Sequence, residues 1–134
     1  MNLLQSLFQS SIIRKIGFED MKLAIHSPNY CIINTLPLKF QDCLIRSTIS
    51  HLVEETTIND LISSYQSMKT HIIVYGQNSR DDSAEKKVKQ LIQHGLENVS
   101  LYSGGLFEWM LLQDIYGQAQ FPTTTKVVDI LCFR

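Results

Sequence analysis

The chain has 134 residues, 44% of them hydrophobic and 19% charged, and its twelve Lys and Arg against thirteen Asp and Glu leave a formal charge of −1. That length buries a core in one ordinary domain without disulfides or a structural metal, and the near-neutral balance gives no electrostatic footprint for nucleic acid. Cys31, Cys43 and Cys132 are an odd count without CxxC spacing, which argues against a disulfide framework or a zinc site and for a reducing, intracellular and cytoplasmic setting.

In chain order, Leu3, Leu4, Leu7 and Phe8 form one apolar stripe opposite Gln5, Ser6, Gln9 and Ser10. This predicts an N-terminal helix over 1–13, lying on its own domain or on a partner. With no basic lead and no unbroken apolar run, the segment resembles neither a signal peptide nor a membrane span. Phe18, Met21 and Ile25 recur at helical spacing until Pro28 and Asn29, after which Tyr30-Cys31-Ile32-Ile33 reads as a buried strand with Cys31 toward the core. Residues 34–46 lack a period and contain Pro37, so they read as a long loop, followed by a short strand over 48–53.

Thr57 and Asp60 have the spacing of a capping box, and Ile58, Leu61, Ile62, Tyr65 and Met68 then line one face of an amphipathic helix. His71-Ile72-Ile73-Val74-Tyr75 suits a central parallel strand covered on both faces. After the polar loop 76–82, Asp82 and Glu85 form a second capping signature ahead of Ala84, Val88, Leu91 and Ile92, with Gly95 as the stop. Val99 to Tyr102 reads as a strand, Ser103-Gly104-Gly105 as a turn, and Leu106 to Ile115 as a helix apolar enough that most of its circumference should be covered. The segment after Gly117 fits either a short strand or a helix. Such alternation predicts an α/β fold, a mostly parallel sheet of about five strands with helices on both faces.

The ordered set His71-Ile72-Ile73-Val74-Tyr75-Gly76, a polar loop, Ser83-Ala84-Glu85, Gly95-Leu96-Glu97-Asn98-Val99 and Gly104-Gly105-Leu106-Phe107-Glu108-Trp109 resembles the second half of rhodanese-like domains. There a strand ends in Tyr-Cys, a phosphate-loop-like turn leads to a Ser-started helix, and Gly-Gly-x-x-x-Trp opens the final helix. Tyr30-Cys31-Ile32-Ile33-Asn34-Thr35 and Leu44-Ile45-Arg46-Ser47-Thr48-Ile49 resemble segments of the first half, with Asn34 for the usual Asp and Leu44 for the usual His. The resemblance covers roughly 16–117 and implies a single rhodanese-like domain over 1–134, with that span as core and 118–134 as a C-terminal extension.

By that resemblance the active-site loop corresponds to Gly76, Gln77, Asn78, Ser79, Arg80, Asp81, Asp82 and Ser83, and Gly76 stands at the catalytic cysteine. In the family the thiolate sits in a ring of backbone N–H groups at a helix N-terminus, which lowers its pKa and holds a persulfide or an anionic substrate. Gly76 offers no nucleophile, so neither persulfide nor phosphocysteine chemistry starts there. Where a sulfurtransferase presents Arg before the helix, this chain presents Asp81 and Asp82, in a loop one residue longer. These carboxylates are expected to take up internally the positive potential that an active relative offers to substrate.

Other groups fit structural roles more simply. Ser79 and Ser83 lack a histidine placed as their base, and Arg80 is an ordinary solvated arginine unless it meets an acidic partner. His71 begins a strand and His94 ends a helix, where a cation suits the dipole. Cys43, in the long loop, is the thiol expected to be most exposed, but without the cradle that would activate it. Phe107 and Trp109 sit on opposite flanks of the last helix, for core packing or for an apolar patch shared with the N-terminal stripe.

The function expected is therefore a catalytically inactive rhodanese-like module in protein binding or assembly. A protein partner or a homodimer is expected, with no cofactor, metal, nucleic acid or membrane. The alternative is a sulfurtransferase- or phosphatase-like enzyme using another thiol, Cys43 or one supplied in trans. A further reading makes Asp81 and Asp82 a cation site, against which adjacent aspartates are more often a helix cap.

Overall fold

The β-branched runs Tyr30–Asn34 and His71–Tyr75 form strands, and helices cover the sheet on both faces. The computed structural model describes residues 13–64 and 69–134. In it the strands β1 (Arg14–Ile16), β2 (Tyr30–Asn34), β3 (His71–Tyr75) and β4 (Val99–Tyr102) form one parallel sheet in the order β1-β4-β3-β2. The helices are α1 (Phe18–Ala24), α2 (Glu54–Ser63), α3 (Ser83–Gln93) and α4 (Gly105–Tyr116). None of them is long and apolar enough to cross a membrane.

Side chains alternate across the strands and divide the core between two layers. Ile32, Ile73, Tyr75 and Tyr102 meet Met21 and Ala24 of α1 and Leu106, Trp109 and Met110 of α4. Cys31, Ile33, Ile72, Val74, Val99 and Leu101 meet Ile58 of α2 and Ala84, Val88 and Leu91 of α3. The loop after β2 and the C-terminal segment complete the first layer, contributing Leu36, Cys43, Leu44, Ile45, Phe121 and Phe133.

The described residues hold four strands rather than about five. The strand expected over 48–53 is reduced to a single bridge, Thr48 beside Ile32. Ser50 turns the chain instead, its side chain accepting from the Leu52 N–H and its carbonyl from the Val53 N–H. β1, by contrast, has only three residues and no readable period, and it exists because β4 offers it an edge.

Helix α2 starts at Glu54, ahead of the expected Thr57 cap, and Thr57 lies within it. Glu54 and Glu55 occupy its first turn, where carboxylates meet the positive end of the helix, and Glu54 also pairs with Lys87 of α3 at 2.8 Å. Tyr65 and Met68, expected on this helix, and the helix expected over 1–13, apart from Ile13, lie outside the described residues. Helix α3 ends as expected, with Gly95 at φ +96° and the Leu96 N–H donating to the Leu91 carbonyl.

Only part of α4 is covered: Leu106, Trp109 and Met110 are buried, whereas Leu111, Ile115 and Tyr116 are exposed. The C-terminal segment forms one antiparallel bridge, Ile45 with Thr123, and ends in a 3-10 turn, Ile130–Phe133. It is bound closely. The Trp109 indole donates to the Pro122 carbonyl, Gln113 Nε2 donates to the Phe121 carbonyl and to Thr123 Oγ1, and the Thr124 N–H donates to the Leu44 carbonyl.

Candidate functional site

The loop expected to carry the site leaves the C-terminal end of β3 and turns directly into α3, so its backbone is fixed at both ends by regular structure. Its first carbonyls face α4: the Leu106 N–H donates to the Gly76 carbonyl and the Phe107 N–H to the Gln77 carbonyl, both at 2.9 Å. That approach requires Gly105, which sits at φ +70°; a β-carbon there would come within 2.9 Å of the Asn78 nitrogen and the Gly76 carbonyl oxygen.

Two amides of the loop, those of Gln77 and Ser83, turn toward the Asp81 carboxylate, while the Arg80 and Asp81 amides donate to Asn78. Asp81 Oδ2 accepts from the Gln77 N–H and Oδ1 from the Ser83 N–H, each at 3.0 Å. A β-carbon on Gly76 would lie 2.8 Å from Asp81 Oδ2 and 3.3 Å from Thr35 Oγ1. Partial burial alone would raise the Asp81 pKa, but the hydrogen bonds from Gln77 and Ser83 outweigh it and hold the carboxyl below its ordinary value. Asp81 is thus a carboxylate that the protein itself supplies to these two amides.

The two aspartates have different roles. Asp82 occupies the N-cap position of α3 but makes no side-chain capping bond, and its carboxylate reaches Lys86 at 3.1 Å on the exposed surface. The N–H of Ser83, the first residue of α3, is instead satisfied by Asp81, one residue before the N-cap. The cation reading loses its ligands in consequence, since Asp81 is engaged by backbone amides and Asp82 by a lysine. Among the described residues no cluster of three or more metal-ligating side chains occurs.

Around this pair, Ser83 Oγ lies 2.7 Å from Thr35 Oγ1. Asn78 bridges outward: its Oδ1 accepts from the Arg80 N–H and its Nδ2 donates to the Phe133 carbonyl of the C-terminal turn at 3.0 Å. Ser79 and Arg80 are exposed, and Gln77 is half-buried. A cavity of about 160 Å³ opens beside the loop toward Lys15, Tyr102 and Ser103. A larger one, about 370 Å³, lies between α2 and α3, away from all eight loop residues.

Sequence reasoning missed Thr35 and Phe133 as neighbours of the loop. They are 41 and 57 residues from Gly76, and no local pattern links them. Elsewhere Asn34 is consumed structurally, its Oδ1 accepting from the Leu36 N–H and from Gln41 Nε2, and Leu44 is buried.

The thiols are arranged differently from expectation. Cys43 is buried, its Sγ 3.6 Å from the Thr125 carbonyl, because the C-terminal segment covers the loop that seemed open. Burial pushes this thiol up, with hydrogen bonds from Thr125 and Thr123 offsetting part of the effect. Cys31 is also buried, its pKa raised to about 11 by burial and by Glu54. Cys132 is exposed. His71 takes a structural role, with Nε2 2.7 Å from Ser100 Oγ and its ring stacked on Tyr30.

A family model for the rhodanese-like domain matches residues 36–112. Among solved structures, the BH2092 protein of Bacillus halodurans superposes with a TM-score of 0.62 at 17% identity, covering 82% of this chain and 80% of that one. The Alr3790 protein of Anabaena sp. gives 0.58 at 23% identity, over 87% and 84%. The single-domain sulfurtransferase RDL2 of Saccharomyces cerevisiae gives 0.53 at 15% identity, over 78% and 94%. No curated protein matches at a significant level. At these identities the structural likeness shows the fold, and the family model, spanning more than half of the chain and the whole loop from Gly76 to Ser83, shows that the chain belongs to the rhodanese-like family.

Proposed function

We propose that this protein is a catalytically inactive rhodanese-like domain that acts in protein binding or assembly. The observation carrying the reading is the Gly76–Asp81 pair. The strand end that would present a nucleophile presents none, and two of the loop amides, those of Gln77 and Ser83, are taken up by the Asp81 carboxylate. An incoming anion would have to displace that carboxylate and would meet a negative charge where a positive cradle is needed.

An enzyme working through another thiol of this chain is less well supported. Cys43 and Cys31 are buried with raised pKa values, the opposite of an activated thiolate, and Cys132 is also shifted upward, by partial desolvation and by Asp129.

The test is a thiosulfate:cyanide sulfurtransferase assay on the wild type, Gly76→Cys, and Gly76→Cys with Asp81→Ala. The wild type should be silent. The single variant should stay silent because Asp81 still occupies the cradle, and the double variant should gain turnover. Turnover by the wild type overturns the reading, and replacing each cysteine singly would then find the thiol responsible.

A further inference from the structure

The strands run parallel, so the loop that follows β3 lies at their C-terminal ends and their first residues gather at the opposite end. Arg14, Tyr30 and His71, which open β1, β2 and β3, line a cavity of about 220 Å³ there, together with Ile16, Ile73 and Asp20 of α1. The register accounts for the space. Arg14, Ser100, Ile73 and Ile32 are neighbours across the sheet and, because side chains alternate along each strand, they share the face that α1 covers. Where β2 and β3 carry isoleucine in this row, β4 carries the fully buried Ser100, which adds only a hydroxymethyl group. His71 holds that hydroxyl, with Nε2 2.7 Å from Ser100 Oγ, and its ring stacks on Tyr30 with centroids 5.1 Å apart.

We infer that this cavity binds a small zwitterion, an α-amino acid with an apolar side chain, whose carboxylate meets Arg14, whose ammonium meets Asp20, and whose side chain lies against Ile16, Ile73 and the Tyr30–His71 rings. The site is separate from the Gly76–Ser83 loop and stands independently of the protein-binding reading.

The ligand class follows from the charges of the lining. It holds one cation, Arg14, and one anion, Asp20, and neither forms an ion pair with a described residue. Both are exposed, which leaves both charges accessible to a ligand arriving from solvent. A ligand carrying only a negative charge would pair with Arg14 and face Asp20, and one carrying only a positive charge would do the reverse. An uncharged ligand would leave both without a partner. A zwitterion satisfies the two together. His71 adds no charge near neutrality, because burial and Arg14 hold its pKa below the ordinary 6.5. Size sets a further limit: about 220 Å³ falls below the roughly 300–1,000 Å³ of pockets for drug-sized ligands, so the site suits a small molecule rather than a nucleotide.

The experiment is isothermal titration calorimetry of the full chain with L-valine, L-leucine, L-methionine and L-phenylalanine, repeated on Arg14→Gln and Asp20→Asn. Both positions are on the surface, so circular dichroism and melting temperature should match the wild type. The expected result is saturable binding of at least one of the four, weakened at least about tenfold by either variant, the scale of one charge-assisted hydrogen bond. The matching acid without the amino group and the matching amine without the carboxylate, for leucine isocaproate and isoamylamine, should each bind the wild type at least about tenfold more weakly. Backbone NMR shifts during the titration should concentrate at 14–16, 20, 30 and 71–73. Absence of any saturable binding tighter than about 10 mM would overturn the inference. Binding that neither variant weakens, or shifts confined to 76–83, would overturn it as well by placing the ligand elsewhere. Equal affinity for the deaminated acid would reduce the site to a plain anion contact at Arg14 and would likewise sink the amino-acid assignment.

Discussion

Asp81 Oδ2 stands 2.8 Å from the point where a β-carbon on Gly76 would lie, while the same oxygen accepts a hydrogen bond from the Gln77 N–H. Glycine at 76 and aspartate at 81 are therefore one structural decision. A side chain at 76 must evict the carboxylate, and loss of the carboxylate leaves two inward-facing amides without their acceptor.

This coupling has a measurable form. Asp81→Ala should destabilise the fold by about 1–2 kcal/mol, the usual scale for losing a capping acceptor. Gly76→Ala should cost a comparable amount while Asp81 is present, and clearly less in the Asp81→Ala background, so that the two effects are not additive. Urea unfolding of the four proteins gives the coupling directly, and additive costs would show that the two positions are independent.

Acid should act through the same carboxylate. Because the hydrogen bonds hold the folded-state pKa of Asp81 below its ordinary 3.8, the unfolded chain takes up the proton first. The stability this group contributes is then complete above that ordinary value and is lost as the pH falls through the folded pKa. The acid limb of a stability-versus-pH curve should be shallower for Asp81→Asn than for the wild type, and identical limbs would remove Asp81 from the acid response.

His71 should titrate below the ordinary histidine value of 6.5, because burial and then the Arg14 charge disfavour the imidazolium, with Asp20 opposing them. A depressed histidine binds its proton more weakly in the folded state. Its contribution is thus complete above about 6.5 and declines as the pH drops from there through the folded pKa. An NMR titration of the His71 ring reports the midpoint, and a value at or above 6.5 would contradict the burial described.

Thiol reactivity should separate the three cysteines. Cys132 is exposed and should be alkylated in the folded protein, whereas Cys31 and Cys43 are buried and should react only on unfolding. Mass spectrometry after brief iodoacetamide treatment, with and without urea, distinguishes them. Alkylation of Cys43 in the folded state would mean that the C-terminal segment does not cover it.

The sequence by itself determined what local patterns can determine. The β-branched run His71-Ile72-Ile73-Val74-Tyr75, the periodic apolar positions of α3 with Gly95 as its stop, and the Gly104-Gly105 turn into α4 each set their element through neighbours within one or two helical turns, and together they fixed the parallel α/β fold. That Gly76 stands at the family's cysteine position came from the rhodanese-like resemblance rather than from a local pattern. Only the tertiary structure decided which carboxylate serves the loop, because the choice between Asp81 and Asp82 depends on the direction in which the turn aims each side chain. It also decided that β1 is a strand, that the segment 48–53 is mostly turn, and that Cys43 is buried under Thr123 and Thr125. Each of these outcomes rests on a contact between residues far apart in the chain, whose free energy exists only when the sheet and the C-terminal segment are already in place, and no local spacing encodes it.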